Sequence, residues 1–393
     1  MDFSKFIGPY VLDWTRLQAC DIVLSRESLS VDGILRPKRM WDVAKSGAIR
    51  LGSKYYSHAM LYVGGSIIHA HPPMVYAVNP QRLSSAHDDD YVCLRFDGLT
   101  LEQKRKIEEF ARSQVGALYS IPEAVKTVVN KSGDAQDLSG VEFCSRLVAE
   151  AYLYAGIQLV PNCSYCAPGD FLSVESLMQI GACTRCADEH DKAILKSTDF
   201  VLLSQDRAYD WLKSVRVMSE NDGFDVKTIE SIYDYVRRFP KRDCEVFNAL
   251  KESQYLETWK DDKAAHGYRY NPMAMQMIYQ YQSDDFFNEV ICLFDCAGRY
   301  GDELEKLNQI NGKSMTINAI ADLYQTMIKD IQIRLIMVIM QYVGKLGGGP
   351  LVELHTLCTH LIGGAYCQYY SLTPYEEAAK QKADWKREVG LSQ

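Results

Sequence analysis

Positive charge is in short supply in this chain. Its 43 Lys and Arg against 51 Asp and Glu leave a formal net charge of -8, and no Lys/Arg block stands out from that background. Nucleic acid is therefore disfavoured as a partner, since its backbone is held mainly by clustered cations. Long apolar runs are missing as well. The most apolar stretch, "IQIRLIMVIMQYVG" from Ile331 to Gly344, is short and carries Arg334 and Gln341, so the pattern predicts a buried helix and no transmembrane segment. The opening "MDFSKFIGPYVLDWTRLQACD" has an acid at position 2 and no uninterrupted apolar core, which is not the form of a cleaved signal peptide. The expectation is a cytoplasmic protein, or one secreted without a cleaved signal. No internal repeat is visible.

What is there fits an ordinary globular chain. With 393 residues, 47% apolar and 24% charged, it has room for two or three domains with sizeable cores. Twelve cysteines without a secretion signal point to a reducing compartment, where thiols serve as packing residues, metal ligands or nucleophiles.

The two halves carry different periodicities. "DIVLSR", "HAMLYVGG", "SIIHAHP", "MVYAVN" and "YVCLRF" set β-branched and aromatic residues between Gly, Pro, Asn and Asp, and predict one mostly antiparallel sheet. "TLEQKRKIEEFARSQVG" follows, with Thr100 three residues before Gln103 in capping-box spacing and Leu101, Ile107, Phe110 and Val115 on one side of a helix. "VNKSGDAQDLSG", residues 129–140, is polar and reads as a flexible loop, and "FVLLSQD" from Phe200 to Asp206 as a last strand. From about Asn221 the spacing is helical throughout, with "KLGGGP" as a turn between helices and a charged end that frays. The fold class expected is α+β: a sheet-bearing domain over 15–206, then an all-α domain over 221–385.

Between them the sequence places one conspicuous thiol. In "SGVEFCSRLVAEAYLYAG", Cys144 stands where a short extended run gives way to an apolar helix with Leu147, Val148, Ala151, Tyr152 and Ala155 on its buried side. Cysteine hydrolysis needs a deprotonated thiol, an imidazole that takes and returns the proton, and N–H donors for the oxyanion. Unpaired N–H groups and the positive dipole at a helix N-terminus favour the first and third. For the imidazole the strand region offers His58, His69 and His71. A hairpin about Gly64 and Gly65 would set His58 and His69 on neighbouring strands, one as base and the other as its orienter. A lone cysteine or a lone histidine on such a face is ordinarily a packing residue; their conjunction is what raises the catalytic reading.

"DIVL", "SHAMLYVGGSIIHA", "FCSRLVAEAY" and "APGDFL", in that order, resemble the circularly permuted NlpC/P60 papain-like cysteine hydrolases, in which the histidine strand precedes the cysteine helix. The resemblance spans roughly Thr15 to Asp206. It implies a permuted papain-like domain with Cys144 as nucleophile, His58 as general base and His69 as the polar group that orients His58, His71 being its rival. It also departs from the family. The third place is often an acid in this permuted group, and the usual Gly-Asp before the first apolar run reads Cys20-Asp21, which leaves an oxyanion role for the Asp21 backbone open. Tyr119 stands where the family often has an aromatic, as a candidate substrate wall. The activity implied is cleavage of an amide in a peptide or peptidoglycan-type substrate through a thioester, with a delivered bacterial toxin or effector as one setting. The same Cys-His chemistry also serves acyltransferases and thioesterases acting on acyl-lipids. A scaffold whose helical half recognises a protein partner is the non-catalytic alternative, and retention of both catalytic residues speaks against it.

No cofactor is expected for catalysis, but a structural zinc is. Cys163 and Cys166, two residues apart, are followed after sixteen residues by Cys183 and Cys186, also two apart, within a Cys-rich segment 163–186. That spacing suits a tetrahedral four-thiolate ion, with His190 as a substitute ligand; free thiols and disulfides are the alternatives. Cys292 with Cys296, and His355, Cys358 and His360, lie at helical spacings that fit core packing as well as ligation.

Overall fold

A computed structural model describes residues 8–26, 56–119, 141–142, 144–271, 283–310 and 314–345. The protein is α+β, with two sheets followed by a helical region, and it divides into two compact units, Met1–Ser231 and Ile232–Gln393. No helix among the described residues is long and apolar enough to cross a membrane.

The first unit opens with β1 (Tyr10–Leu12) and β2 (Ile22–Ser25). Then come β3 (His58–Tyr62), β4 (Ile67–His71), β5 (Met74–Val78), β6 (Ser84–Ser85) and β7 (Tyr91–Phe96). After helix α1 (Leu101–Ser113) lie the short strands β8 (Leu118–Tyr119) and β9 (Val141–Glu142), then α2 (Cys144–Tyr154). Strands β10 (Leu177–Gln179) and β11 (Thr184–Cys186) precede α3 (Glu189–Lys196) and α4 (Phe200–Asn221). The large sheet has the order β10-β7-β2-β3-β4-β5-β8-β9 and is antiparallel except for its last pair, β8 with β9. A smaller sheet pairs β11, β1 and β6.

Alternation along the strands gives the large sheet two distinct faces. Ile22, Leu24, Ala59, Leu61, Ile68 and Ala70 join a core with Ile107 and Ala111 of α1 and with Leu147, Val148, Ala151 and Tyr152 of α2. Val23, Met60, Tyr62, Ile67, Tyr91 and Cys93 turn the other way, into a second core with Leu12 and Leu83. The β3–β4 hairpin closes over Gly64 and Gly65, both at positive φ (62° and 102°), the backbone form that a two-residue turn requires. Helix α1 starts as its capping box predicts, with the Gln103 N–H donating to the Thr100 hydroxyl at 3.2 Å.

The expected strand at Phe200–Asp206 is instead the first part of α4. The Asp199 carboxylate accepts from the Leu202 N–H at 3.0 Å and caps the helix. Buried Leu202, Trp211, Leu212 and Val215 then continue at helical spacing. Gln205 on this helix brackets Ala77 of β5, accepting from its N–H and donating to its C=O, both at 2.7 Å. One amide thus serves as a neighbouring strand where β5 has outrun β8.

The second unit takes over within α5 (Ile229–Arg238) and continues through α6 (Asp243–Glu252), α7 (Thr258–Ala265), α8 (Ser283–Gln309) and α9 (Met315–Lys345). Its helical content matches the expected spacing. Asp243 ties the start of α9 to α6, accepting from Ser314 Oγ at 2.8 Å and from the N–H groups of Met315 and Thr316 at 2.6 and 3.1 Å.

Candidate active site

The histidines of the β3–β4 hairpin come together. Leu61 pairs with Ile68 and Tyr62 with Ile67, and carrying that register back along β3 sets His58 opposite His71 and diagonal to His69. His58 Nε2 and His69 Nδ1 lie 2.9 Å apart, with the rings edge-on at 84°. Both are buried, at 8% and 2% exposure. His71 is half-buried, its ring centroid 6.5 Å from that of His58 and 6.1 Å from that of His69, and its Nδ1 lies 2.9 Å from the Pro72 carbonyl.

Burial, reinforced by the neighbouring His71, pushes the His69 imidazole down to about 3, so His69 stays neutral at any ordinary pH. A neutral His69 carries one ring proton, so either ring can be the donor of the pair. If His58 Nε2–H donates to His69 Nδ1, the His69 proton sits on Nε2 and His58 Nδ1 is the basic nitrogen. His69 Nε2 is itself fully buried and has no hydrogen-bond partner among the described residues. His69 therefore acts as a desolvated neutral dipole against His58, not as a second charge.

Cys144 is the first residue of α2 and is buried. The helix packs on β3 and β4. At its far end Tyr152 Oη donates to the Cys20 carbonyl at 2.6 Å, and the Cys20 N–H donates to the carbonyl of Tyr62, the last residue of β3. From Tyr152 back to Cys144 is about 12 Å of helix, and from Tyr62 back to His58 about 13 Å of strand. α2 thus starts at the His58 end of β3. Alternation nevertheless gives His58 the face of Met60 and Tyr62, whereas α2 covers Ala59 and Leu61. His58 thus stands on the face of β3 that α2 does not cover, at the end of the strand where α2 starts. Ser145, which the sequence did not single out, secures this end: its Oγ donates to the Cys166 carbonyl at 2.6 Å. Nothing in the sequence marked it, since Arg146 beside it makes the first turn of α2 polar already.

No family model, curated protein or solved structure matches the chain.

The remaining candidates distribute as follows. Cys20 holds φ 74°, the left-handed form that glycine adopts most readily. The Asp21 N–H donates to the Gln18 carbonyl at 2.9 Å, and the Asp21 carbonyl accepts from Tyr62 at the far end of β3 from His58. Its backbone is therefore committed to the turn and does not supply an oxyanion donor beside His58. Its carboxylate takes Arg95 Nε and Nη2 at 2.8 and 2.7 Å and the Gln18 N–H at 2.7 Å. Tyr119 lies in β8.

The four thiols expected to share zinc are not gathered. Cys163 and Cys166 belong to the core under α2, Cys183 to the core on the opposite face of the sheet, and Cys186 is exposed on β11. His190 is exposed on α3. Between the two pairs the chain forms β10 on the edge of β7, which carries the second pair to the other side. Burial also pushes the Cys166 thiol well up, away from the thiolate that a zinc ligand must be. These residues do not fit a single tetrahedral ion, and no group of three or more His, Cys, Asp or Glu side chains suited to a metal occurs among the described residues. His355, Cys358, His360 and the predicted loop at 129–140 lie outside the described residues.

Proposed function

We propose that the chain is a papain-like cysteine hydrolase with the permuted NlpC/P60 order, cleaving an amide in a peptide or peptidoglycan-type substrate. The observation that carries this reading is the buried contact of His58 Nε2 with His69 Nδ1 at 2.9 Å, at the end of β3 from which α2 starts with Cys144. A packing histidine has no need of a neutral, desolvated imidazole behind it. A general base gains from one, because it fixes the ring and leaves Nδ1 as the nitrogen that accepts a proton.

In the mechanism, His58 Nδ1 takes the Cys144 proton and the thiolate attacks the carbonyl carbon. The first-turn N–H groups of α2 face the developing oxyanion. His58 then returns the proton to the leaving amine, leaving a thioester on Cys144. Water, deprotonated by the same imidazole, releases the acid and restores the thiol.

Iodoacetamide labelling near neutral pH tests the reading, with each of the twelve cysteines followed by mass spectrometry. Cys144 is expected to label fastest, and His58→Ala to slow it. Labelling of Cys144 at the common rate, unchanged by His58→Ala, would sink the proposal. Muropeptides and acyl-lipids assayed side by side separate amide hydrolysis from acyl transfer: turnover of the lipids alone would replace the amidase reading with the acyltransferase or thioesterase one.

A further inference from the structure

The start of β2 and the end of β7 diverge around a small cavity. Ile22 pairs with Leu94, and one step further along the ladder the buried Asp21 stands across from Arg95, accepting from its Nε and Nη2 at 2.8 and 2.7 Å. Beyond that pair both chains turn off the sheet, Cys20 at φ 74° and Gly98 at φ 81°. Between the two arms lies a cavity of about 100 Å³, lined by residues 18–21, residues 95–99 and Lys104 of α1. It sits at the far end of β3 from His58, because the Cys20 N–H donates to the Tyr62 carbonyl at 2.8 Å. Nothing in it depends on Cys144.

The lining selects by hydrogen bonding, charge and size. Arg95 Nη2 also donates to the Arg16 carbonyl at 3.0 Å, so the guanidinium plane is set before any ligand arrives. Nη1 is the nitrogen of the fork not turned to Asp21, and its two N–H groups have no acceptor among the described residues. Arg95 and Lys104 are matched in charge by Asp21 and Asp97, so a singly charged anion suits the lining better than a doubly charged one. Leu99 adjoins Thr100, the cap of α1, and the positive end of that helix favours the same sign. A cavity of about 150 Å³ takes benzene, so this one takes a group of roughly four or five heavy atoms. Phe96 and Leu99, both packed on the first core, supply a short apolar wall. We propose that the cavity binds a short-chain monocarboxylate, its carboxylate held by Arg95 Nη1 and Lys104 and its tail laid on Phe96 and Leu99. Because the guanidinium is already fixed, binding loses little side-chain freedom there.

Hydrogen exchange of the full-length protein, read by mass spectrometry, tests the site with sodium propionate, sodium phosphate and sodium chloride at equal ionic strength. Propionate is expected to slow exchange in the peptides covering residues 18–21 and 97–99, saturably, and chloride to leave them unchanged. Lys104→Gln, checked for folding by circular dichroism, should weaken propionate about tenfold, the worth of one charge-assisted hydrogen bond, and Lys104→Arg should keep most of the affinity. If Lys104→Gln does not fold, the wild-type exchange map decides alone. Protection by phosphate and not by propionate would overturn the monocarboxylate. So would propionate that protects neither segment, or a folded Lys104→Gln that binds it as wild type does. Protection confined to the β3–β4 hairpin and the start of α2 would place the acid at the proposed active site instead, and would likewise overturn this one.

Discussion

Replacing His69 with asparagine separates the two consequences of burying an imidazole behind another one. The amide oxygen can accept from His58 Nε2–H much as the ring nitrogen does, but it does not titrate. In the wild type the folded His69 ionises at about 3, against 6.5 for a free imidazole, burial being the main cause. The lowered value sets the sign. Above pH 6.5 neither state is protonated and the stabilisation is complete; as pH falls the unfolded chain takes up its proton first, and stability drops until the folded value is reached. Each pH unit in that window costs about 1.4 kcal/mol, so about 2 kcal/mol is lost between pH 6.5 and pH 5. For a unit of this size that is a fall of roughly 4–8 °C in melting temperature. Thermal melts of wild type and His69→Asn at pH 7, 6 and 5 should show the wild type descending more steeply by that amount. Parallel curves would refute a buried, neutral His69, and with it the tautomer assigned to His58.

Two further substitutions probe the frame around the site. Asp21→Ala strands Arg95, and with the Arg95 side chain 24% exposed the loss should be about 3 kcal/mol, at the low end for a broken buried ion pair. Denaturant midpoints of Asp21→Ala, Arg95→Ala and the double variant check it, since a double variant as destabilised as the two singles summed would mean no coupling. In the second unit, Asp243→Ala removes the acceptor for Ser314, Met315 and Thr316 and should cost about 2 kcal/mol. Burial works to raise the Asp243 carboxyl, but those hydrogen bonds outweigh it and hold the carboxyl below 3.8. The gap between wild type and variant is therefore full above pH 3.8 and closes as pH falls through the lower folded value, which melts of the two proteins across acid pH would reveal.

The parts of this fold that could be read in advance are those whose cause is local. β2, β3, β4, β5 and β7 announce themselves as β-branched runs between turn residues, and Thr100 with Gln103 marks the start of α1 from four letters. Phe200–Asp206 misleads because a short apolar run suits a strand or a buried helix equally, and only the cap at Asp199 and the continuation to Val215 decide. β1 is invisible for another reason: its partners, Ser85 and Cys186 opposite Tyr10, are distant in the chain. The cysteines teach the same lesson. Spacing counts residues along the backbone but carries no record of which face of a sheet each thiol reaches, so Cys163 and Cys183 look like neighbours in sequence and lie in different cores. His58 and His69 met as expected because two glycines and one hairpin register suffice to join them.

The hydroxyl of Tyr152 gives α2 something that apolar packing alone does not, a fixed azimuth. Leu147, Val148 and Ala151 form a greasy bearing on which a cylinder can turn with little resistance. Since successive residues are spaced by about 100° around the axis, even a modest rolling of the rod would swing Cys144 off its heading. The bond from Tyr152 to the Cys20 carbonyl works as a key in a shaft, setting at one end of the helix the direction in which the thiol points at the other.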